Sequence, residues 1–167
     1  MIGIDPGLRV TGWGVVSRDG PDVRAVAYGT IRPSARAPVP ERLVTIFTDL
    51  VAIIERYQVS AAAVETPYVP RVNGGSHRSA LTLGQALAAA MIAVAHSGLE
   101  VAEYAPGEVK LAVAGYGRGD KAQVQRMVRL QLGLPAPPEP KDAADALAVA
   151  LCHALRTREL AVKEAMP

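Results

Sequence analysis

The chain has 167 residues, of which 50% are hydrophobic and 20% charged, and its net charge is only +2. This size and composition are typical of one globular domain with a buried core, and they exclude a disordered chain. The single cysteine, Cys152, excludes an intrachain disulfide framework and a cysteine-based zinc site, so we expect it in the core. The longest apolar run is too short for a membrane span, which needs about 20 residues. We therefore expect a soluble, cytoplasmic protein without a signal peptide.

The first third of the chain predicts three strands and a helix. Apolar runs at 1–5, 12–18 and 24–31 are separated by short turns rich in Gly and Pro, which favours an antiparallel meander. From residue 40 onwards the period changes, because Leu43, Phe47, Leu50 and Ile54 recur at helical spacing. This pattern predicts a helix that ends near Tyr57.

The remainder alternates between strands and helices. Residues 61–65 are apolar until Glu65, as expected for a strand that is covered on both faces. The loop after that strand is rich in Pro and Gly, and residues 134–140 form a second Pro-rich connector. We predict a further strand at 99–104 and helices at 79–96, 106–114, 121–132 and 141–158.

These elements predict an α/β fold with a five-stranded mixed sheet flanked by helices. A helix after the third strand brings the fourth strand beside the first, which gives the spatial order 3-2-1-4-5. The domain then spans residues 1–158, and residues 159–167 form a frayed tail. In this order the ends of the first and fourth strands lie side by side, and each of these strands ends in an acidic residue.

Four carboxylates are candidates for a shared site. Asp5 and Glu65 end neighbouring strands, where ligands of open α/β sheets usually bind. Asp142 and Asp145 are three residues apart in the first turns of the last helix and project from one face. Taken singly, Asp5 is an ordinary turn residue, and an Asp pair at a helix start is more often a cap. A glutamate that ends an Ala- and Val-rich strand is harder to explain structurally.

Together the four acids favour a site for hard divalent cations. Mg²⁺ and Mn²⁺ prefer oxygen ligands, and two such ions about 4 Å apart are typical of phosphodiester hydrolysis. Without a cation, clustered carboxylates raise one another's pKa. The histidines are weaker candidates, because His153 lies roughly 16 Å along the helix from Asp142 and His96 sits near a helix end.

Several motifs resemble the RuvC family of Holliday junction resolvases: "GIDPGLRVTGWGVV", the strand-ending Glu65, "LGQA" and "DAADALAVA". Their order and spacing cover residues 2 to 155. The resemblance implies an RNase H/integrase-like fold and a homodimer that binds a four-way DNA junction. Each subunit then nicks one of two opposing strands with Mg²⁺ or Mn²⁺, as two ions per site, and leaves 5′-phosphate and 3′-hydroxyl ends. It also implies association with the RuvA–RuvB branch-migration complex.

The resemblance assigns the catalytic and metal-binding roles to Asp5, Glu65, Asp142 and Asp145. Tyr68 takes the place of a family phenylalanine that engages a base near the cut, and either ring can stack on a base. Lys110 and Lys121 match two DNA-contacting lysines. The acid-free stretch 66–99 and the later basic cluster supply further DNA-binding candidates, which are Arg71, His77, Arg78 and Arg118. The loop after Glu65 is longer and richer in Gly and Pro than the family pattern.

Three other functions use similar residues. Another RNase H-like nuclease, acting on RNA or an RNA–DNA hybrid, needs the same acids. A nucleotide-binding module of the actin and sugar-kinase type also has an Asp-x-Gly turn, but it normally needs two domains. A junction-binding scaffold without catalysis is expected to lack one of the acids. The Ala-rich helix at 79–96 is expected either to contribute to a dimer interface or to be a plain core helix.

Overall fold

The computed structural model describes residues 1–66, 77–115 and 120–164. In chain order the strands and helices are β1 (Ile2–Asp5), β2 (Thr11–Asp19), β3 (Asp22–Ile31), α1 (Val39–Arg56), β4 (Ala62–Glu65), α2 (His77–His96), β5 (Val101–Tyr104), α3 (Pro106–Ala114), α4 (Lys121–Gln131) and α5 (Lys141–Glu164).

The sheet has five strands in the order β3-β2-β1-β4-β5, as predicted. β1, β2 and β3 pair antiparallel, whereas β4 runs parallel to β1 and β5 parallel to β4. The carboxyl ends of β1, β4 and β5 therefore meet at one edge of the fold. Asp5 ends the central strand, β1, and Glu65 ends the neighbouring strand, β4, at this edge.

Helices cover both faces of the sheet. On one face, Ile2, Ile4 and Val64 pack with α1 and α2, where Leu50 and Ala90 are fully buried. On the other face, Ala63 packs with α3, α4 and α5. This double cover explains why β1 and β4 are apolar up to their last residue. Cys152 is buried in the second cluster, as predicted for a core residue.

The predicted elements agree with the structure to within about two residues at most boundaries. The last helix is the exception, because α5 continues to Glu164 rather than ending near Arg158. Residues 157–164 contain neither Gly nor Pro and are rich in good helix formers, so nothing in the sequence stops the helix there. No helix of the described residues is long and apolar enough to cross a membrane.

Candidate active site

Asp5 is held at the end of β1 by the loop that follows it. The fully buried Thr11 donates a hydrogen bond from its hydroxyl to the carbonyl oxygen of Gly7 at 2.9 Å and accepts one from the Gly7 N–H at 3.3 Å. Arg42 of α1 donates from Nη2 to the carbonyl oxygen of Leu8 at 2.6 Å. These bonds fix the direction in which the chain leaves Asp5, and so restrict its carboxylate.

Glu65 lies beside Asp5 because β4 runs parallel to β1. The register pairs Ile4 with Val64, so the next residue of each strand falls at the same edge. Hydrogen bonding with Asp5 lowers the pKa of Glu65, so the two side chains lie within reach of each other. The predicted pair of strand-ending acids is therefore brought into direct contact.

Asp142 and Asp145 lie near Asp5 because α5 packs against glycines of β1 and β2, where no side chain keeps the helix away. A Cβ atom at Gly12 would overlap the backbone oxygen of Asp142, and a Cβ at Gly3 would overlap the backbone oxygen of Ala146. Only glycine allows such a close approach of helix to strand. The first turns of α5 are thus pressed onto β1 and β2, and both aspartates lie near Asp5.

The carboxylates perturb one another strongly. Burial raises the pKa of Asp5 to about 7, and the charges of Glu65, Asp145 and Asp142 contribute in the same direction. Burial also raises the pKa of Glu65, with Asp145 as the next cause. Such shifts are typical of functional sites, because a fold that clusters acids needs a compensating cation or proton.

Two lysines supply part of that compensation. Lys121 Nζ lies 3.0 Å from Asp145 Oδ2, and this hydrogen-bonded ion pair raises the pKa of the lysine. The charge of Lys110 lowers the pKa of Glu65. Lys110 and Lys121 line a cavity of about 240 Å³ together with Glu65 and Asp145. Both predicted DNA-contacting lysines therefore lie at the acid cluster.

The donor set fits a hard divalent cation by its chemistry. All four side chains are carboxylates, and their mutual influence on Asp5 shows that they are close. Among residues 1–66, 77–115 and 120–164, however, no three His, Cys, Asp or Glu side chains converge closely enough to hold a metal ion. In this arrangement Lys121 Nζ donates a hydrogen bond to Asp145 Oδ2 at 3.0 Å.

The structure does not describe the side chains of the other predicted DNA-binding residues. Tyr68, Arg71 and Arg118 lie outside the described residues, and so do the side chains of His77 and Arg78, which begin α2. Their DNA contacts stay predictions.

The remaining histidines have structural contacts. His153 Nδ1 is 2.9 Å from the Tyr104 hydroxyl oxygen. The ring of His96 packs edge-on against Phe47, with 5.4 Å between ring centroids. These contacts agree with the structural interpretation of both histidines.

The close packing of the α5 backbone against β1 and β2 was not predicted from the sequence. The sign in the sequence is the alternation Gly12-Trp13-Gly14, since two glycines at period 2 leave one face of β2 without side chains. The ion pair between Lys121 and Asp145, which joins residues 24 positions apart, was not predicted either.

Comparison with known proteins agrees with this fold. Residues 1–153 match the family described as "Crossover junction endodeoxyribonuclease RuvC". A protein of that name from Chloroflexus aggregans is 52% identical over 153 residues, which are 92% of this chain and 91% of the relative. Its counterpart from Chloroflexus aurantiacus (strain ATCC 29366 / DSM 635 / J-10-fl) is 48% identical over the same share of each chain.

A solved structure has the same architecture. T. thermophilus RuvC in complex with Holliday junction substrate superposes with a TM-score of 0.86 at 37% identity, covering 95% of this chain and 96% of that one. The RNase H/integrase-like fold that the motifs implied is therefore confirmed. By sequence and by structure, this chain belongs to the RuvC family of crossover junction endodeoxyribonucleases.

Proposed function

We propose that this chain is an endonuclease that resolves four-way (Holliday) DNA junctions during recombination and repair. The observation that carries the proposal is the meeting of Asp5, Glu65, Asp142 and Asp145, which come from two strands and a helix, at one edge of a RuvC-family fold. A scaffold that only binds DNA has no need for four acids in such a costly cluster.

The four acids are the proposed ligands of Mg²⁺ or Mn²⁺, with two ions per site. When bound, such an ion acts as a Lewis acid on the phosphodiester and lowers the pKa of the attacking water. The protein's own contribution is to hold the carboxylates on rigid elements, so that little reorganisation is needed during the reaction. The backbone contact of α5 with Gly12 and the loop bonds of Thr11 provide this rigidity.

Lys110 and Lys121 are proposed to hold the DNA strand over the acids. Both lysines line the cavity that Glu65 and Asp145 also line, and a phosphate is the ligand that such a pair of cations favours. Water attacks the phosphorus atom and the bond to the 3′ oxygen breaks. The nick then carries a 5′-phosphate and a 3′-hydroxyl.

A two-fold symmetric substrate calls for two sites, and we propose that α2 forms the dimer surface. Leu81, Gly84, Ala88 and Ile92 recur along α2 at helical spacing. Leu81 is 66% exposed and Ile92 58% exposed. A Cβ at Gly84 would meet nothing within 4 Å. Small residues between two exposed apolar ones allow another helix to approach closely, which a C2 interface requires.

Ile92→Glu is therefore expected to convert the dimer into a monomer at micromolar concentration. Burying an unpaired carboxylate in a subunit interface costs several kcal/mol, whereas on a free surface the change is nearly neutral. Light scattering after gel filtration measures the mass, and circular dichroism checks the fold. Ala52→Glu, on the exposed side of α1, is the matched control. A folded Ile92→Glu protein that stays dimeric would place the interface elsewhere.

Substrate comparison separates this function from its rivals. The protein is incubated with a four-way DNA junction, a linear duplex of the same sequence and an RNA–DNA hybrid. We expect nicks in the junction alone, and none with Asp142→Asn. Cleavage of the hybrid in place of the junction would assign the chain to another RNase H-like activity. Association with RuvA–RuvB stays a prediction.

A further inference from the structure

We propose a second phosphate-binding surface, made of Arg9, Arg32 and Arg36, on the β3 side of the acid cluster. It rests on the proposed function and adds a place for the DNA backbone. The DNA contacts predicted from the sequence follow β4 in the chain, whereas these three arginines all precede it. The surface therefore gives the strand a path on the other side of the acids.

Strand register places Arg32 at the catalytic edge. Asp5 pairs with Gly12 of β2, and Gly12 pairs with Thr30 of β3, so the three residues form one row across the sheet. At about 4.8 Å between neighbouring strands, Thr30 lies roughly 10 Å from Asp5. Arg32 follows two residues later, beyond the end of β3. Arg9 is in the loop that connects Asp5 to β2.

The Arg32 side chain lies on the face of the sheet where α5 begins. Thr30 is directly opposite Gly12, so both point to the face from which the backbone of Asp142 contacts Gly12. Arg32 Nε donates a hydrogen bond to Thr30 Oγ1 at 3.2 Å. The guanidinium is thereby held on the side of the sheet that carries Asp142.

The charge distribution on this side is one-sided. Residues 25–40 contain Arg32 and Arg36 and no acid, and the next acid along the chain is Glu41 in the first turn of α1. The acids of the β2–β3 hairpin, Asp19 and Asp22, are at the opposite end of the strands. Arg9, Arg32 and Arg36 are exposed. The ion pairs among the described residues join Lys121 to Asp145 and Arg156 to Glu108, so none of the three arginines has a carboxylate partner there.

Guanidinium groups near a carboxylate cluster, with no carboxylate partner in the described part of the chain, fit an extended polyanion. A DNA strand carries one phosphate per about 3.4 Å of axis. Groups roughly 10–20 Å from the cut therefore meet phosphates about three to six nucleotides away. A single small anion has no reason to need three separate arginines. The same DNA strand would contact Lys121 on one side of the acids and Arg32 on the other.

The test compares two double variants with the same change in charge. Arg32→Gln/Arg36→Gln removes two cations of the proposed surface. Arg24→Gln/Arg56→Gln removes two exposed arginines from the opposite end of the sheet and of α1. Junction affinity is measured at several salt concentrations in an Asp142→Asn background. We expect the slope of log K against log salt to fall by about 1.8 for the first pair, at about 0.9 per phosphate, and to stay unchanged for the second.

Neutral methylphosphonates at single positions test direct contact. Placed three to six nucleotides from the cut, one of them is expected to weaken binding of the Asp142→Asn protein with an intact arginine surface. The same methylphosphonate is expected to cause no further loss of junction affinity in a protein that also carries Arg32→Gln and Arg36→Gln. Equal slopes for the two double variants, or an equal methylphosphonate penalty in both backgrounds, would overturn this inference alone. A parent protein that does not prefer the junction to linear duplex would instead overturn the proposed function.

Discussion

Asp5→Asn is expected to make the metal-free protein more stable than the wild type above pH 7. The folded-state pKa of Asp5 is about 7, against an ordinary value of 3.8, because the site is buried and acidic. Between these values the folded protein binds the proton more tightly than the unfolded chain. The contribution of Asp5 to the free energy of unfolding therefore falls as pH rises from about 4 to 7, and its destabilising effect is complete above that range.

Thermal unfolding in EDTA between pH 5 and pH 9 measures this effect. Asp49→Asn, on the exposed side of α1, is the matched control and should keep the wild-type pH profile. Mn²⁺ is expected to raise the unfolding temperature of the wild type in a concentration-dependent way, since a ligand of the folded state stabilises it. Asp5→Asn should lose most of this response together with nicking activity. Identical pH profiles for wild type and Asp5→Asn would contradict the electrostatic account of the cluster.

Gly12→Ala is expected to have the second large effect. The new methyl group would overlap the backbone oxygen of Asp142, and a backbone atom has no rotamer by which to escape. α5 then has to move away from β2, at a cost of about 1–3 kcal/mol for overpacking. Because a shift of about 1 Å in catalytic groups can reduce a rate by about 100-fold, we expect nicking to fall by at least that factor.

Urea unfolding and single-turnover nicking separate the two consequences of this substitution. Gly107→Ala is the control, since its Cβ would meet nothing within 4 Å and its φ is not positive. We expect the control to keep wild-type activity. If Gly12→Ala nicked the junction at the wild-type rate, the seating of α5 on bare backbone would not be what positions Asp142.

Much of the fold was predictable because its signals are local. Strand alternation, helical spacing and short turns predict the order of the elements along the chain. The helix between the third and fourth strands places the fourth strand beside the first, which predicts the strand order that the structure has. The end of α5 was not predictable in the same way. Helix termini depend on stop signals, and the sequence after Arg158 has none until Pro167.

The candidate site was predictable in its acids and not in their surroundings. Asp5 and Glu65 end apolar strands, so their placement follows from topology. The pairing of Lys121 with Asp145, and the position of Arg32 at the same edge of the sheet as Asp5, depend on register and on packing between distant segments. No local sequence pattern predicts these contacts. The net charge of +2 is a sum over the whole chain, so it does not indicate that two basic regions lie near an acidic cluster.

The most direct test of the central claim maps nicks on a four-way junction with each strand labelled in turn. Reactions contain Mg²⁺, Mn²⁺ or EDTA, with Asp142→Asn alongside. We expect paired nicks on two opposing strands, each leaving a 5′-phosphate, with Mg²⁺ and with Mn²⁺. We expect no nicks in EDTA or with Asp142→Asn. Nicks that persist in EDTA or in Asp142→Asn, or an uncut junction in both metals across varied sequences, would contradict the central claim.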